Sequence, residues 1–161
     1  ISSCIYLKIG GPYIVLLTSL FSFIIWNWSP AKVFMGDTGS TFLASINIGL
    51  ISLSGTLYEA IGLLLILSPC LIDPFICVIR RYFYRQNIFK AHRLHLYQRL
   101  NQNGVKESYI SISYICTSLL LSINFFLLDI TSMIVTIIIF IAVYFYLDQK
   151  IAMPFEIAMK K

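Results

Sequence analysis

Five apolar runs, each near the length that crosses a bilayer, take up most of this 161-residue chain. A helix needs roughly 17–25 mostly apolar residues to span the hydrocarbon core, where lipid offers no partner to an open backbone N–H or C=O. The runs fall at about residues 12–28, 41–54, 57–79, 109–128 and 130–147. Trp26, Trp28 and Pro30 end the first, and Pro69 and Pro74 interrupt the third. Only 12% of residues are charged and 58% are hydrophobic, whereas a soluble domain carries about 25% charged residues. The expectation is an all-α, polytopic transmembrane helical protein of a single membrane domain, embedded in a lipid bilayer. No sizeable soluble domain and no nucleic-acid partner are expected.

The placement of charge sets the orientation. Arg80, Arg81, Arg85, Lys90, Arg93, Arg99 and Lys106 share one polar stretch, about residues 80–108. Lys/Arg-rich short loops mark the cytoplasmic side. Two crossings earlier, the loop at about residues 29–40 falls on the same side. Lys150, Lys160 and Lys161 return there, and Lys8 is one charge on the opposite face. The two substantial polar loops therefore share one membrane face and can converge on one site. Cys4, Cys70, Cys77 and Cys116 lie mostly in or beside apolar runs, with no CxxC or Cys/His zinc spacing, and read as small apolar filler.

Chemistry concentrates in Ala31-Lys32-Val33-Phe34-Met35-Gly36-Asp37-Thr38-Gly39-Ser40-Thr41. An Asp at a membrane boundary is costly unless its charge is used. Gly36 and Gly39 let backbone approach a ligand, and Asp37 offers hard oxygens suited to Mg²⁺. Capping a turn is an equal alternative for Asp37. Ser40 or Thr41 reads best as a helix cap, and Lys32 either contacts phosphate or snorkels to the interface.

A second element is Lys90-Ala91-His92-Arg93-Leu94-His95-Leu96-Tyr97-Gln98-Arg99-Leu100. On a helix, His92 and His95 would share one face. Arg suits a pyrophosphate as a bidentate clamp and His as donor or proton shuttle. By spacing alone the better reading is a solvated amphipathic helix with Leu94, Leu96 and Leu100 resting on the bilayer. Two histidines with no Cys or carboxylate nearby in sequence do not close a zinc site. Asp73, followed by Pro74 in the third run, reads as structural or as a partner behind a histidine.

Together and in this order, these elements resemble the polyprenyl-phosphate N-acetylhexosamine-1-phosphate transferases (glycosyl transferase family 4). Pro30 to Ser40 is similar to the family's metal-loop motif, and His92 to Leu100 to its histidine-containing cytoplasmic loop. The resemblance runs from about Pro12 to Leu147 and corresponds to the C-terminal half of such an enzyme. It implies transfer of a sugar-1-phosphate from a UDP-sugar to undecaprenyl phosphate with release of UMP, using Mg²⁺ or Mn²⁺, at the cytoplasmic face of a bacterial inner membrane. It assigns the metal to Asp37, catalytic roles to His95 and His92, phosphate contacts to Lys32, Arg93, Arg99, Gly36, Gly39 and Ser40, and a supporting role to Asp73. A homodimer is compatible with it. Tyr97 and Gln98 stand where other branches have further histidines, which is similar to the O-antigen-initiating branch, whose sugars include 6-deoxy-N-acetylhexosamines. The family's adjacent acidic pair has no counterpart here, so the chain alone is expected to lack part of the active site. The rival expectations are an inactive or regulatory half-protein of the same fold and, further off, a small transporter using Asp73 and the broken third run.

Overall fold

A computed structural model describes residues 11–159. Lys8, Cys4, Lys160 and Lys161 lie outside the described residues. Among those described there are eight α-helices and no strand. They are α1 (Gly11–Asn27), α2 (Gly36–Ser52), α3 (Leu57–Ile66), α4 (Ser68–Phe83), α5 (Leu96–Gln102), α6 (Glu107–Leu127), α7 (Ile130–Lys150) and α8 (Phe155–Ala158). The chain is an all-α membrane protein divided into two compact units, Ile1–Leu64 and Leu65–Lys161.

In the first unit, polar side chains in the helices are satisfied locally. In α1, the Thr18, Ser19 and Ser22 hydroxyls donate to the carbonyls of Ile14, Val15 and Thr18 at 2.7–2.9 Å. In α2, Ser45, Asn47 and Ser52 donate in the same way to Thr41, Leu43 and Ile48, each at 2.9 Å. Such back-bonding makes a hydroxyl or amide tolerable where water is absent. Both helices are 17 residues long, at the lower end of what spans a bilayer.

The run expected at 57–79 is not one helix. It is α3 and α4, separated at Leu67. Pro69 has no N–H to extend the α3 ladder, and it sits at the start of α4, where that N–H is not needed. By length and composition α6 and α7 can each cross a membrane, and α3 with α4 would add a third crossing if the pair acts as one broken span.

In the second unit, α6 and α7 form an antiparallel hairpin. Asp129 caps α7 by accepting from Ser132 N–H at 2.9 Å. Inside the hairpin, Asn124 Nδ2 donates to Thr136 Oγ1 at 2.7 Å, the kind of polar clasp that holds helices together where lipid is as apolar as leucine. Leu121 and Met133 are fully enclosed, while Leu119, Leu120, Ile138 and Ile139 face outward, as lipid-facing side chains should. At one end of the hairpin α5 packs on both helices. Leu96 and Leu100 enter a core with Ile110, Tyr144 and Ala152. Leu94 joins Cys77, Phe155 and Ala158. These three leucines therefore point into protein, correcting the reading that lays them on the bilayer.

Arg99 fixes this end. Its guanidinium is buried, paired with Asp148 of α7, and donates to the carbonyls of Leu94 at 3.1 Å and Met153 at 2.9 Å. Arg80 of α4 pairs with the same carboxylate. Phe155 lies 5.4 Å from the Arg99 guanidinium and 5.7 Å from that of Arg80. Removing one partner from a buried ion pair typically costs about 3–5 kcal/mol. Arg80 remains to hold Asp148 after Arg99→Ala, so a loss of about 3 kcal/mol is expected. The check is denaturant unfolding of the detergent-solubilised protein followed by circular dichroism. A change within about 0.5 kcal/mol, the range of ordinary surface substitutions, would refute this role.

Candidate functional site

The glycine-rich segment of the first unit is an ordered turn leading into α2. Lys32 N–H and Val33 N–H both donate to the Trp26 carbonyl, at 2.9 and 3.3 Å, and Asn27 Nδ2 donates to the Val33 carbonyl at 2.8 Å. The segment is thereby folded back on the end of α1. Lys32 is exposed, with its ammonium 5.5 Å from the Trp26 ring centroid. Gly36 opens α2 at φ +66°, a left-handed conformation that side chains disfavour. At Gly39 a Cβ would meet Met35 Cγ at 2.3 Å, so the helix start is packed against the loop it follows. Ser40 lies inside α2 and donates to the Asp37 carbonyl at 3.0 Å, while Met35 occupies the N-cap position, so neither Ser40 nor Thr41 caps the helix, which corrects that reading. The Asp37 side chain is exposed in the first turn of α2, and no hydrogen bond or ion pair engages its carboxylate among the described residues. Capping is thus not its use here, and its oxygens are available to a hard cation.

The second unit gathers Asp73, His92 and His95, and it does so without a histidine helix. His92 lies in the loop outside any helix, and His95 is the residue before α5, with extended backbone. The shared helical face expected for the pair is replaced by ring proximity, with centroids 5.0 Å apart. Tyr97 stacks on His95 at 5.5 Å. Buried Asp73 accepts from Leu96 N–H at 2.9 Å and from the Tyr144 hydroxyl at 3.0 Å, both on Oδ1. Its Oδ2 lies 3.9 Å from His95 Nδ1, too far for a hydrogen bond, and neither atom has another partner. Asp73 thus stands behind the histidine and joins α4, α5 and α7. One of its oxygens is committed to structure, which gives the transporter reading no support.

Arg81 organises the loop between α4 and α5. It is buried and donates to the carbonyls of Ile88 at 3.0 Å and Lys90 at 3.1 Å, to that of Asn87, and to Gln86 Oε1 at 3.3 Å. Bent around this guanidinium, the loop walls a cavity of about 710 Å³ lined by Arg81, Gln86, Asn87, Lys90, His92, Arg93 and Gln102 among others. Neither the Lys90 ammonium nor the Arg93 guanidinium has a protein hydrogen bond or ion pair among the described residues. Both are therefore available to an anion. Burial first, then the charge of Arg81 and the neighbouring His95, hold the His92 imidazole below its ordinary value. Neutral at pH 7, His92 can accept a proton. Burial, then Asp73, pushes the Tyr97 hydroxyl up, so it stays protonated.

One expected contact is corrected. Arg99 cannot serve a phosphate as placed, because its guanidinium is enclosed and engaged by Asp148, Leu94 and Met153. The residues that sequence reasoning passed over are Asp148, Tyr144, Arg81 and Cys77. Asp148 carried a usable signal, a carboxylate at the end of an apolar run. The others carried none, because their roles arise from partners distant in sequence.

Residues 5–56 match the family model described as Glycosyl transferase family 4. A Bacillus subtilis protein named "Probable undecaprenyl-phosphate N-acetylglucosaminyl 1-phosphate transferase" is 36% identical over 100 residues, covering 58% of this chain and 27% of that protein. The phospho-N-acetylmuramoyl-pentapeptide-transferase of Endomicrobium trichonymphae is 29% identical over 108 residues, 65% of this chain and 28% of that one. That of Streptomyces griseus is 54% identical over 41 residues, 26% of this chain and 12% of its own. The chain thus spans under a third of the length of these curated relatives. No solved structure matches it. The match over residues 5–56, which holds the Asp37 turn, and these relatives make the chain similar to the polyprenyl-phosphate N-acetylhexosamine-1-phosphate transferase superfamily.

Proposed function

We propose that this chain is part of an enzyme that transfers a sugar-1-phosphate from a UDP-sugar to undecaprenyl phosphate, releasing UMP. The sugar is of the N-acetylhexosamine or 6-deoxy-N-acetylhexosamine type, and the product begins O-antigen or another cell-envelope polysaccharide. The reaction runs at the cytoplasmic face of a bacterial inner membrane. The observation that carries the reading is the free, exposed carboxylate of Asp37 in the first turn of α2, within the segment that matches the family.

The chemical difficulty is that two polyanions must meet. Asp37 would hold Mg²⁺, or Mn²⁺ in its place. A single carboxylate suits Mg²⁺, which keeps several waters and takes its remaining ligands from substrate phosphates. When bound, the ion neutralises charge that develops on the pyrophosphate. In the second unit, Lys90 and Arg93 supply positive charge at the mouth of a pocket large enough for a nucleotide. Phosphate oxygens there would meet preorganised donors that need no rearrangement as charge shifts. His92, held neutral, and His95, backed by Asp73, are positioned to accept or donate a proton. Lys32, Gly36, Gly39 and Ser40 shape the turn that presents Asp37. A bilayer-anchored acceptor phosphate explains why these groups belong to loops rather than to helix interiors.

Asp37→Asn in the intact enzyme is expected to abolish UMP release and leave membrane insertion unchanged, read by radiolabelled UDP-sugar turnover and by fractionation. Retained turnover would remove the metal role. His95→Ala should lower turnover by at least about a hundredfold, the low end for loss of a general acid or base, whereas Cys70→Ser should have little effect. Equal losses in the two variants would point to folding rather than chemistry.

A further inference from the structure

His92 and His95, which the function above uses, also belong to a cluster with Cys77, which it does not use. Cys77 of α4, His92 and His95 each offer one ligand atom, and these three atoms lie within 4.8 Å of one another. Cys77 is 2% exposed, and both histidines are half-buried. Cys77 precedes His92 by a helical turn and a loop, and the loop bends back on it because Arg81 gathers its carbonyls.

We propose that Cys77, His92 and His95 form a binding site for a soft divalent metal ion of the zinc class. The donor set is one sulfur and two imidazole nitrogens, which suits Zn²⁺ or Cd²⁺ and not the hard, oxygen-seeking Mg²⁺. Ligand lengths of about 2.3 Å to sulfur and 2.0 Å to nitrogen place tetrahedral ligand atoms about 3.3–3.5 Å apart. The cluster must therefore contract by at most about 1.5 Å, within reach of ring rotations in a loop outside the helices. The fourth position is open to water, since His92 also lines the cavity.

A second observation points the same way. His95 Nδ1 and Asp73 Oδ2 are enclosed, lack partners and face each other across 3.9 Å. Ligation through His95 Nε2 puts the remaining proton on Nδ1, aimed at Asp73 Oδ2, and a small approach satisfies both atoms. A carboxylate behind a ligating histidine is the usual outer partner of zinc. Ligation of His92 through Nε2 gives up only a long contact, Leu94 N–H to Nδ1 at 3.4 Å. On binding, the Cys77 thiol loses its proton to solvent and the thiolate sulfur bonds the ion. The site is separate in chemistry from the Mg²⁺ reading at Asp37, and its test needs no turnover.

The test uses the full chain in detergent micelles with Cys4, Cys70 and Cys116 changed to Ser, so that Cys77 is the one remaining thiol. Cd²⁺ alone is titrated while the ultraviolet thiolate-to-metal band is followed. The band should saturate at one ion per chain and vanish in Cys77→Ser. In His92→Gln the affinity should fall by at least about tenfold, the low end even for loss of an outer partner. Cadmium NMR of the protein with both histidines intact gives a second readout that needs no His variant, and it should show nitrogen as well as sulfur ligation. Absence of the band, unchanged affinity in His92→Gln, or sulfur-only ligation by NMR would overturn the site.

Discussion

The carboxylate of Asp73 is the constraint on which the histidine end of the second unit depends. A buried charge is tolerable only when its oxygens are satisfied, and here one oxygen accepts from both the first N–H of α5 and the Tyr144 hydroxyl of α7. Three helices are tied through one side chain. The other oxygen is left facing His95. An Asp followed by Pro74, whose ring removes one ladder donor within α4, is a costly place for a charge in an apolar helix. Its position makes sense once the loop histidine lies over it.

Two arginines complete the frame in different ways. Arg99 works with Arg80 on Asp148 and locks α5 to α7 and to the chain beyond it. Arg81 has no carboxylate partner among its contacts and instead collects backbone carbonyls from Asn87 to Lys90. A planar guanidinium with several fixed donors can do this, and a lysine ammonium could not hold the same fan of acceptors. The outcome is a polar loop with a defined curve, a cavity on one side and the Cys77 cluster against it. Lys90 and Arg93, which line that cavity, are free of such duties and can meet a ligand.

Apolar helices carry outward-facing Leu and Ile, so the protein is built for lipid on its flanks. Its uncommitted charges sit in loops and at helix ends, as at Lys90, Arg93, Asp37, Glu107 and Lys150. Asp37 is presented by a turn whose backbone is pinned to Trp26 and whose opening residue adopts a glycine conformation. A free carboxylate on so ordered a turn has a position that a bound cation need not create.

Sequence alone determined the all-α membrane class, because apolar length and charge scarcity are properties of the chain that no packing can reverse. It also marked Asp37, His92, His95, Lys32, Arg93 and Asp73, since rare polar groups between apolar runs stand out without a structure. It misjudged what depends on partners far away in the chain. Arg99 looked like a phosphate ligand because its partner Asp148 is 49 residues on. Leu94, Leu96 and Leu100 looked lipid-facing because their core comes from α4, α6, α7 and the chain after α7. The proline-broken third run could be suspected, but only the fold shows two helices with Pro69 opening the second. Cys77 was indistinguishable from Cys70 and Cys116 as apolar filler. Periodicity and spacing describe neighbours along a helix, whereas the side of α4 that meets the histidine loop was decided by Arg81 and Asp73, and only the tertiary structure contains that decision.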